Sequence, residues 1–331
     1  MRPSGVQLPL RVGAVPPNEC MGYRIGGYVN GTEKDSKGGY GFVVFGNPID
    51  TTVTTDDVVL KIMPGRNNGP YNNVPLSEFL KEKNLMIYVR DNIIKGRAVK
   101  SLMTIIDGWS FSDKYHVLAV ERLRGIELYS YIEKTLAARK RFGEDDLRRA
   151  IDDVFRGLGE LHNHNILHLD LKPENLRFRK EHKEKDGTFT YSELVILDFG
   201  LAFHLDWDTR VLPTTSIGTT EYKSPEIHPD LRLDSYVEVV VNGHEKKTGK
   251  VTSVNDEGNY VVELDGIPGQ YVTAARASVR KLMKYSPAVD VFAMGVSLYR
   301  MVHNFWHPFI DAHTMNARRP CDSNLCSLHL W

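Results

Sequence analysis

The stretch from His168 to Asn175, His-Leu-Asp-Leu-Lys-Pro-Glu-Asn, constrains this chain more than any other. Pro173 lacks a backbone donor and cannot sit inside a continuing helix, so the segment reads as a loop. It carries a carboxylate (Asp170), an ammonium (Lys172) and a carboxamide (Asn175). Phosphoryl transfer to a hydroxyl needs a carboxylate to orient the nucleophile and take its proton, a cation to neutralise the migrating group, and a hard oxygen ligand for a metal. All three chemistries stand on one short loop. Further along, the apolar run Leu194-Val195-Ile196-Leu197 reads as a buried strand and feeds Asp198-Phe199-Gly200.

In the order and spacing of these two motifs the chain resembles the eukaryotic protein kinase family. The resemblance implies a two-lobed α+β protein kinase-like fold with ATP and Mg2+ as cofactors. By the same resemblance Asp170 orients and deprotonates a substrate hydroxyl, Lys172 steadies the γ-phosphate, and Asn175 and Asp198 hold Mg2+. The segment Gly218-Thr-Thr-Glu-Tyr-Lys-Ser-Pro-Glu226 is close to the family's G-T-x-x-Y-x-[AS]-P-E. There Thr219 is expected to bond Asp170 and Lys172, and with Lys172 it favours serine or threonine over tyrosine in a protein substrate.

Residues 23–29 and 41–45 favour strands, with Ser36-Lys-Gly-Gly-Tyr-Gly-Phe-Val43 between them. A glycine-rich hairpin turn is the commoner meaning of such a run; glycines also let backbone amides approach phosphates with no Cβ in the way. Set against the family's G-x-G-x-x-G-x-V, Gly38, Gly41 and Val43 match, Gly39 lies between them, and Ser36 replaces the first glycine. The run Val58 to Ile62 reads as a core strand containing one cation, Lys61, which is costly there unless paired. The resemblance pairs it with a glutamate on the following helix, Ser77 to Met86; Glu82 is the first choice and Glu78 the second, with Leu80, Leu85 and Met86 on the apolar face. A lysine snorkelling to water beside a solvated glutamate is the plainer reading of the same residues. From Val117 onward the chain resembles the strand and hinge that join kinase lobes. Val120 stands at the gatekeeper position, the backbone of Glu121 and Leu123 is expected to bond adenine, and Glu127 is expected to reach the ribose or a basic substrate residue.

Two helices are read from periodicity. In Glu144 to His162 the apolar residues Leu147, Ile151, Val154, Leu158 and Leu161 recur at steps of four and three, with acidic residues in the first turn. Ser286 suits an N-cap and Pro287 the first turn of a second helix, apolar nearly all round and therefore expected in the core. It resembles the family's D-x-W-x-x-G helix, with Asp290 tying down the catalytic loop and Phe292 in place of tryptophan.

Composition narrows the remaining classes. With 42 basic and 42 acidic side chains, the chain lacks the cationic excess of a nucleic-acid binder. No apolar run approaches the ~20 residues that cross a bilayer, so neither nucleic acid nor membrane is expected as a partner. Cys20, Cys321 and Cys326 do not make a disulfide framework, which points to a reducing compartment: the cytoplasm, with the nucleus left open.

Several features depart from a plain kinase. Leu169 replaces the arginine of His-Arg-Asp, which in the family receives an activation-segment phosphate, so control through Thr214, Thr215 or Ser216 is expected to matter less. The charge-rich run Arg177 to Ser192 lengthens the hairpin between Asn175 and Asp198 and is read as a solvated loop. Between Glu226 and Asp290 lie short β-prone runs broken by Asn242-Gly243, Asp256-Glu257-Gly258 and Asp265-Gly266, which suggest an inserted SH3- or Tudor-like β-barrel, either a partner-binding module or purely structural. The expected organisation is a flexible leader (1–20), an N-lobe (21–121), an incomplete C-lobe (122–309) holding the insertion (230–284), and an irregular tail (310–331). The functional reading is an ATP-dependent serine/threonine protein kinase. Its alternative is a pseudokinase scaffold that binds partners through the insertion.

Overall fold

The computed structural model describes residues 19–20, 22–29, 37–38, 41–49, 57–65, 73–97, 99–111, 114–138, 144–185, 189–206, 217–228, 230–266, 268–283 and 285–303. Residues 1–18 of the expected leader, the expected tail, Gly39, and the serine and threonines at 214–216 lie outside them, while Glu19–Cys20, expected to be flexible leader, form a short strand. The chain divides into two units, one of residues 1–133, 142–164 and 174–202, the other of residues 134–141, 165–173 and 203–331.

The first unit is built on an antiparallel sheet. Its main strands are β1 (Tyr23–Tyr28), β2 (Gly41–Pro48), β3 (Val58–Pro64), β4 (Ile105–Phe111) and β5 (Tyr115–Glu121), in the spatial order β1-β2-β3-β5-β4. Glu19–Cys20 extends it beside β1, and Lys37–Gly38 pairs with the start of β2. Alternation along β3 sends Leu60 and Ile62 into a core with Phe42, Val44, Val117 and Ala119, and so turns Lys61 to the opposite face. Helix α1 (Leu76–Tyr88) buries Phe79, Glu82, Leu85 and Met86. The apolar face begins at Phe79 and not at Leu80, which is exposed; Phe79 stacks on the buried His116 ring at 4.8 Å and fixes the rotation of the helix.

Helix α2 spans Leu128–Ala137 and α3 spans Glu144–Asn163, the latter burying Ala150, Val154, Leu158 and Leu161 on one stripe. Asp153 on α3 accepts the Leu194 amide at 2.9 Å. The run does lengthen a hairpin, but as paired strands and not as a loop: β6 (Leu176–Lys183) lies against β7 (Phe189–Ile196), paired out to Phe189 opposite Lys183. Its charged residues line the strands, while Phe178 and Tyr191 pack with Tyr131 at ring distances of 5.3–5.5 Å; that aromatic anchor outweighs the polarity of the sequence.

In the second unit, Ile166–Leu167 pairs with Phe203–His204. Leu167, Leu169, Phe203, Ile227, Tyr285 and Val289 share a core. Strands β8 (Tyr236–Val241), β9 (Glu245–Val254), β10 (Tyr260–Leu264), β11 (Tyr271–Ala274) and β12 (Val279–Lys281) form a sheet of order β11-β10-β9-β8-β12 around Val237, Val239, Val251, Val262 and Leu264. Asn242 and Gly243, both at positive φ (53° and 79°), turn β8 into β9 as hairpin residues do. The expected barrel does not close: β11 has four residues and β12 three, and neither edge hydrogen-bonds to the other. Helix α4 (Pro287–Val302) starts at Ser286 as expected, but it is not buried all round. Val289, Asp290, Ala293, Met294, Val296, Ser297 and Met301 face inward, whereas Val291 and Val302 are exposed. Among the described residues no helix is long and apolar enough to cross a membrane.

Candidate active site

Most of the charged residues singled out in the sequence fall into two clusters, one in each unit. In the first unit the Lys61 ammonium donates to Glu82 Oε1 and to Asp198 Oδ1, both at 2.8 Å. Burial would lower the Lys61 pKa, but the carboxylates of Asp198 and Glu82 outweigh it and hold the group well above its ordinary range. Burial, opposed by Lys61 and reinforced by the negative charge of Asp198, pushes Glu82 up. Glu82, one turn beyond the exposed Glu78, is therefore the partner.

The β6–β7 hairpin brings Asn175 and Asp198 to one end. Asn175 precedes β6, Asp198 follows β7, and the Leu197 amide donates to the Asn175 carbonyl at 2.8 Å. Residues 101–103 pin β7 in turn: Ile196 donates to Ser101 O at 2.8 Å, and Met103 donates to Ile196 O at 3.1 Å. Asp198 takes a left-handed φ of 57°, and the Gly200 amide donates to its Oδ1 at 3.3 Å. A carboxamide oxygen and a carboxylate are hard donors of the kind Mg2+ takes, the rest of its shell coming from water and phosphate. Among the described residues no group of three or more His, Cys, Asp or Glu is placed to hold a metal without such help.

Val43 lies opposite Lys61 across the β2–β3 pair, and Gly38 opposite Gly41 at the hairpin preceding it. The Glu121 amide is taken by Thr104 O at 3.0 Å, and its carboxylate is clasped by Arg179 and by the Thr104 amide. Leu123 is buried. Arg177 donates to Glu127 Oε1 at 3.4 Å, so the negative charge expected to face ribose or substrate is met within the chain.

The second unit holds Asp170, Lys172 and Thr219 together. Thr219 donates to Asp170 Oδ1 twice, from its amide at 2.9 Å and its hydroxyl at 2.6 Å. Lys172 Nζ lies 2.9 Å from Asp170 Oδ2 and donates to Thr219 Oγ1 at 2.7 Å. Both parts of this triangle are fixed from behind. The buried Asp290 carboxylate accepts the His168 and Leu169 amides at 2.8 Å each. On the other side Gly218 has a φ of +89°, and a Cβ there would run into the Leu169 carbonyl. Leu169 itself, at a φ of 66°, is buried in the apolar core where an arginine would reach for phosphate.

Two lysines of this unit went unnoticed in the sequence. Lys223 lines a small recess with Asp170, Thr219, Tyr222 and Val289; burial pulls its pKa down against the nearby Asp170 charge. Lys281 is buried at the end of β12 and donates to the carbonyls of Pro225, His228 and Asp230. Burial, with Arg232 adding repulsion, pulls it down to about 8. The alternation Val279-Arg280-Lys281 was a legible sign that Lys281 points to the core side.

Comparison with known proteins agrees with this geometry. The family model described as "Protein kinase domain" matches residues 37–239, more than half of the chain, and stops within β8. The calcium-dependent protein kinase 4 of Plasmodium berghei is 33% identical over 115 residues, 35% of this chain and 20% of that protein. The calcium/calmodulin-dependent protein kinase cmkB of Emericella nidulans is 30% identical over 128 residues, 39% of this chain and 29% of that one. The MAP kinase-interacting serine/threonine-protein kinase 1 of Xenopus tropicalis is 32% identical over 134 residues, again 39% and 29%. The chain thus spans less than a third of the length of each of these relatives. With a matching family model and both charged clusters assembled, the chain belongs to the eukaryotic protein kinase family.

Proposed function

We infer that this chain transfers the γ-phosphate of ATP to serine or threonine hydroxyls of a protein substrate, with Asp170 as the base. The observation that carries this reading is the Asp170–Lys172–Thr219 triangle. Asp170 has one oxygen steadied by Thr219 and the other beside Lys172, and each carboxylate oxygen offers more than one acceptor site, so capacity remains for an incoming hydroxyl. The Lys172 ammonium has three donors; with Asp170 and Thr219 engaged, one N–H is left for an oxygen of the migrating phosphoryl group. Lys61, held charged by Glu82 and Asp198, is suited to the α- and β-phosphates. In this reading the backbone of Glu121 and Leu123 would take adenine, Gly38, Gly39, Gly41 and Val43 would cover the phosphates, and Asn175 and Asp198 would hold Mg2+, which would supply charge neutralisation.

The test is an assay of the purified chain with ATP, Mg2+ and protein or peptide acceptors, followed by identification of the phosphorylated amino acid. Phosphoserine or phosphothreonine is expected. Asp170→Asn is expected to abolish transfer while nucleotide binding, read by thermal shift, persists; retained transfer in that variant overturns the assignment of the base.

A further inference from the structure

Lys281 is the best-matched buried cation of the second unit, and nothing in the phosphotransfer reading uses it. It ends β12, an edge strand of the five-stranded sheet, on the same side as the core residues Val279 and Val237. From there its Nζ donates to Pro225 O and His228 O at 2.7 Å and to Asp230 O at 3.0 Å. An ammonium has three N–H donors, and here three carbonyls converge on it. Burying a lysine is costly without such partners, and a sheet edge offers easier places to put one.

The carbonyls belong to the turn that follows the acceptor segment. Between Thr219 and that turn the chain is folded tightly on itself. Tyr222 donates to Thr219 O at 3.0 Å and Lys223 to Thr220 O at 3.3 Å; Ile227 and His228 donate to Ser224 O at 3.1 and 2.9 Å. Ile227 then plugs into the core beside Leu169. A displacement of the turn has little slack to absorb it before it reaches Thr219 and the recess lined by Asp170, Tyr222 and Lys223. The titratable groups around Lys281 are the charged Glu226, Asp230 and Arg232 and the His228 ring, whose pKa burial pulls down, with Lys223 beyond His228.

We propose that Lys281 is a positioning residue: from the five-stranded sheet it fixes the carbonyls of Pro225, His228 and Asp230 and through them the acceptor segment Thr219–Ser224, so that the sheet sets how well a protein substrate is held. The sheet is then part of the kinase's substrate-binding apparatus and not an independent appendage. This rests on the phosphotransfer reading, but its structural half can be tested without turnover.

The experiment compares the full chain with Lys281→Met and Lys281→Arg. Methionine keeps the length and loses every donor; arginine keeps the charge but presents a planar fork that cannot meet three carbonyls converging on one point. In both variants the peptide KM is expected to rise about tenfold, with kcat and the ATP KM within about twofold of the parent. Hydrogen exchange is expected to speed up at the Tyr222, Lys223, Ile227 and His228 amides while the α4 amides stay protected. A peptide KM unchanged in folded variants, or exchange unchanged at those amides, overturns the proposal. If Lys281→Met fails to fold, Lys281→Arg decides. A parent chain that transfers no phosphate, combined with faster exchange in the variants, sinks the phosphotransfer reading and leaves the anchoring intact.

Discussion

Thr219 meets Asp170 twice at one atom: its backbone amide and its side-chain hydroxyl both donate to Oδ1, at 2.9 and 2.6 Å. One bond is set by the fold of the main chain, the other by the choice of residue. Thr219→Val removes the second, along with the acceptor that Lys172 Nζ uses at 2.7 Å, and leaves a methyl against a carboxylate. Hydrogen bonds to charged groups contribute about 1.5–3 kcal/mol, so kcat is expected to fall roughly 10- to 100-fold with the ATP KM unchanged. Thr219→Ser should retain most of the activity; steady-state kinetics of the two variants check this.

Lys61 and the buried Glu82 form an ion pair; losing Lys61 strands the Glu82 carboxylate, whereas losing Glu82 leaves the half-buried Lys61 with Asp198 alone. Lys61→Met and Glu82→Gln are each expected to lower both stability and turnover. The double variant should cost less than the sum of the two, because no unpaired buried charge is left. Denaturant titration of the four proteins gives the coupling; strict additivity would show that the pair is not energetically linked.

Leu169 fills an apolar site among Phe203, Ile227, Tyr285 and Val289. Leu169→Arg, which restores the family's usual residue, is therefore expected to destabilise the chain by about 2–4 kcal/mol instead of installing phosphate control. Thermal melting checks the first half of this statement. For the second, alanines at Thr214, Thr215 and Ser216 should leave the parent's activity within about twofold.

Ser224 is 1% exposed, and among the described residues its hydroxyl has no hydrogen-bond partner. Ser224→Ala removes a desolvated polar group at little cost in volume, and stability is expected to rise by about 1 kcal/mol. A fall in melting temperature would contradict this.

Lys281 also implies a dependence of stability on pH. Its folded pKa is lowered to about 8 from an ordinary value of 10.5. Between those values the unfolded chain holds a proton that the folded chain has released, so the contribution of this residue to stability rises with pH across that window. Below pH 8 both states are protonated and the full cost of burying the charge is borne. Denaturation midpoints at pH 7, 8, 9 and 10 are expected to show the gain in the parent and lose it in Lys281→Met.

Much of this molecule was legible as pattern. The period of Val154, Leu158 and Leu161 marked α3, and turn residues such as Asn242-Gly243 marked the strands β8 to β11. The Lys61–Glu82 pair could be anticipated because a cation in an apolar strand must be answered by something. The errors have a common origin in contacts that sequence does not display. The length of the β6 and β7 strands was hidden by their charges, since what holds them, Tyr131 against Phe178 and Tyr191, joins residues far apart in the chain. Phe79 outranked Leu80 because His116 offers it a ring to stack on. Sheet closure failed on the length of two edge strands, a quantity that β-propensity does not fix. Lys281 was missed because its partners are main-chain carbonyls, which every residue has and no alphabet records.

Gly218 carries the left-handed φ that lets Thr219 arrive at Asp170 with amide and hydroxyl aimed at one oxygen. Handedness at a single α-carbon thus becomes a gate on chemistry several bonds away. An L residue there would meet a strained dihedral and a collision of its Cβ with the Leu169 carbonyl together, and glycine is the one amino acid in the genetic code that escapes both.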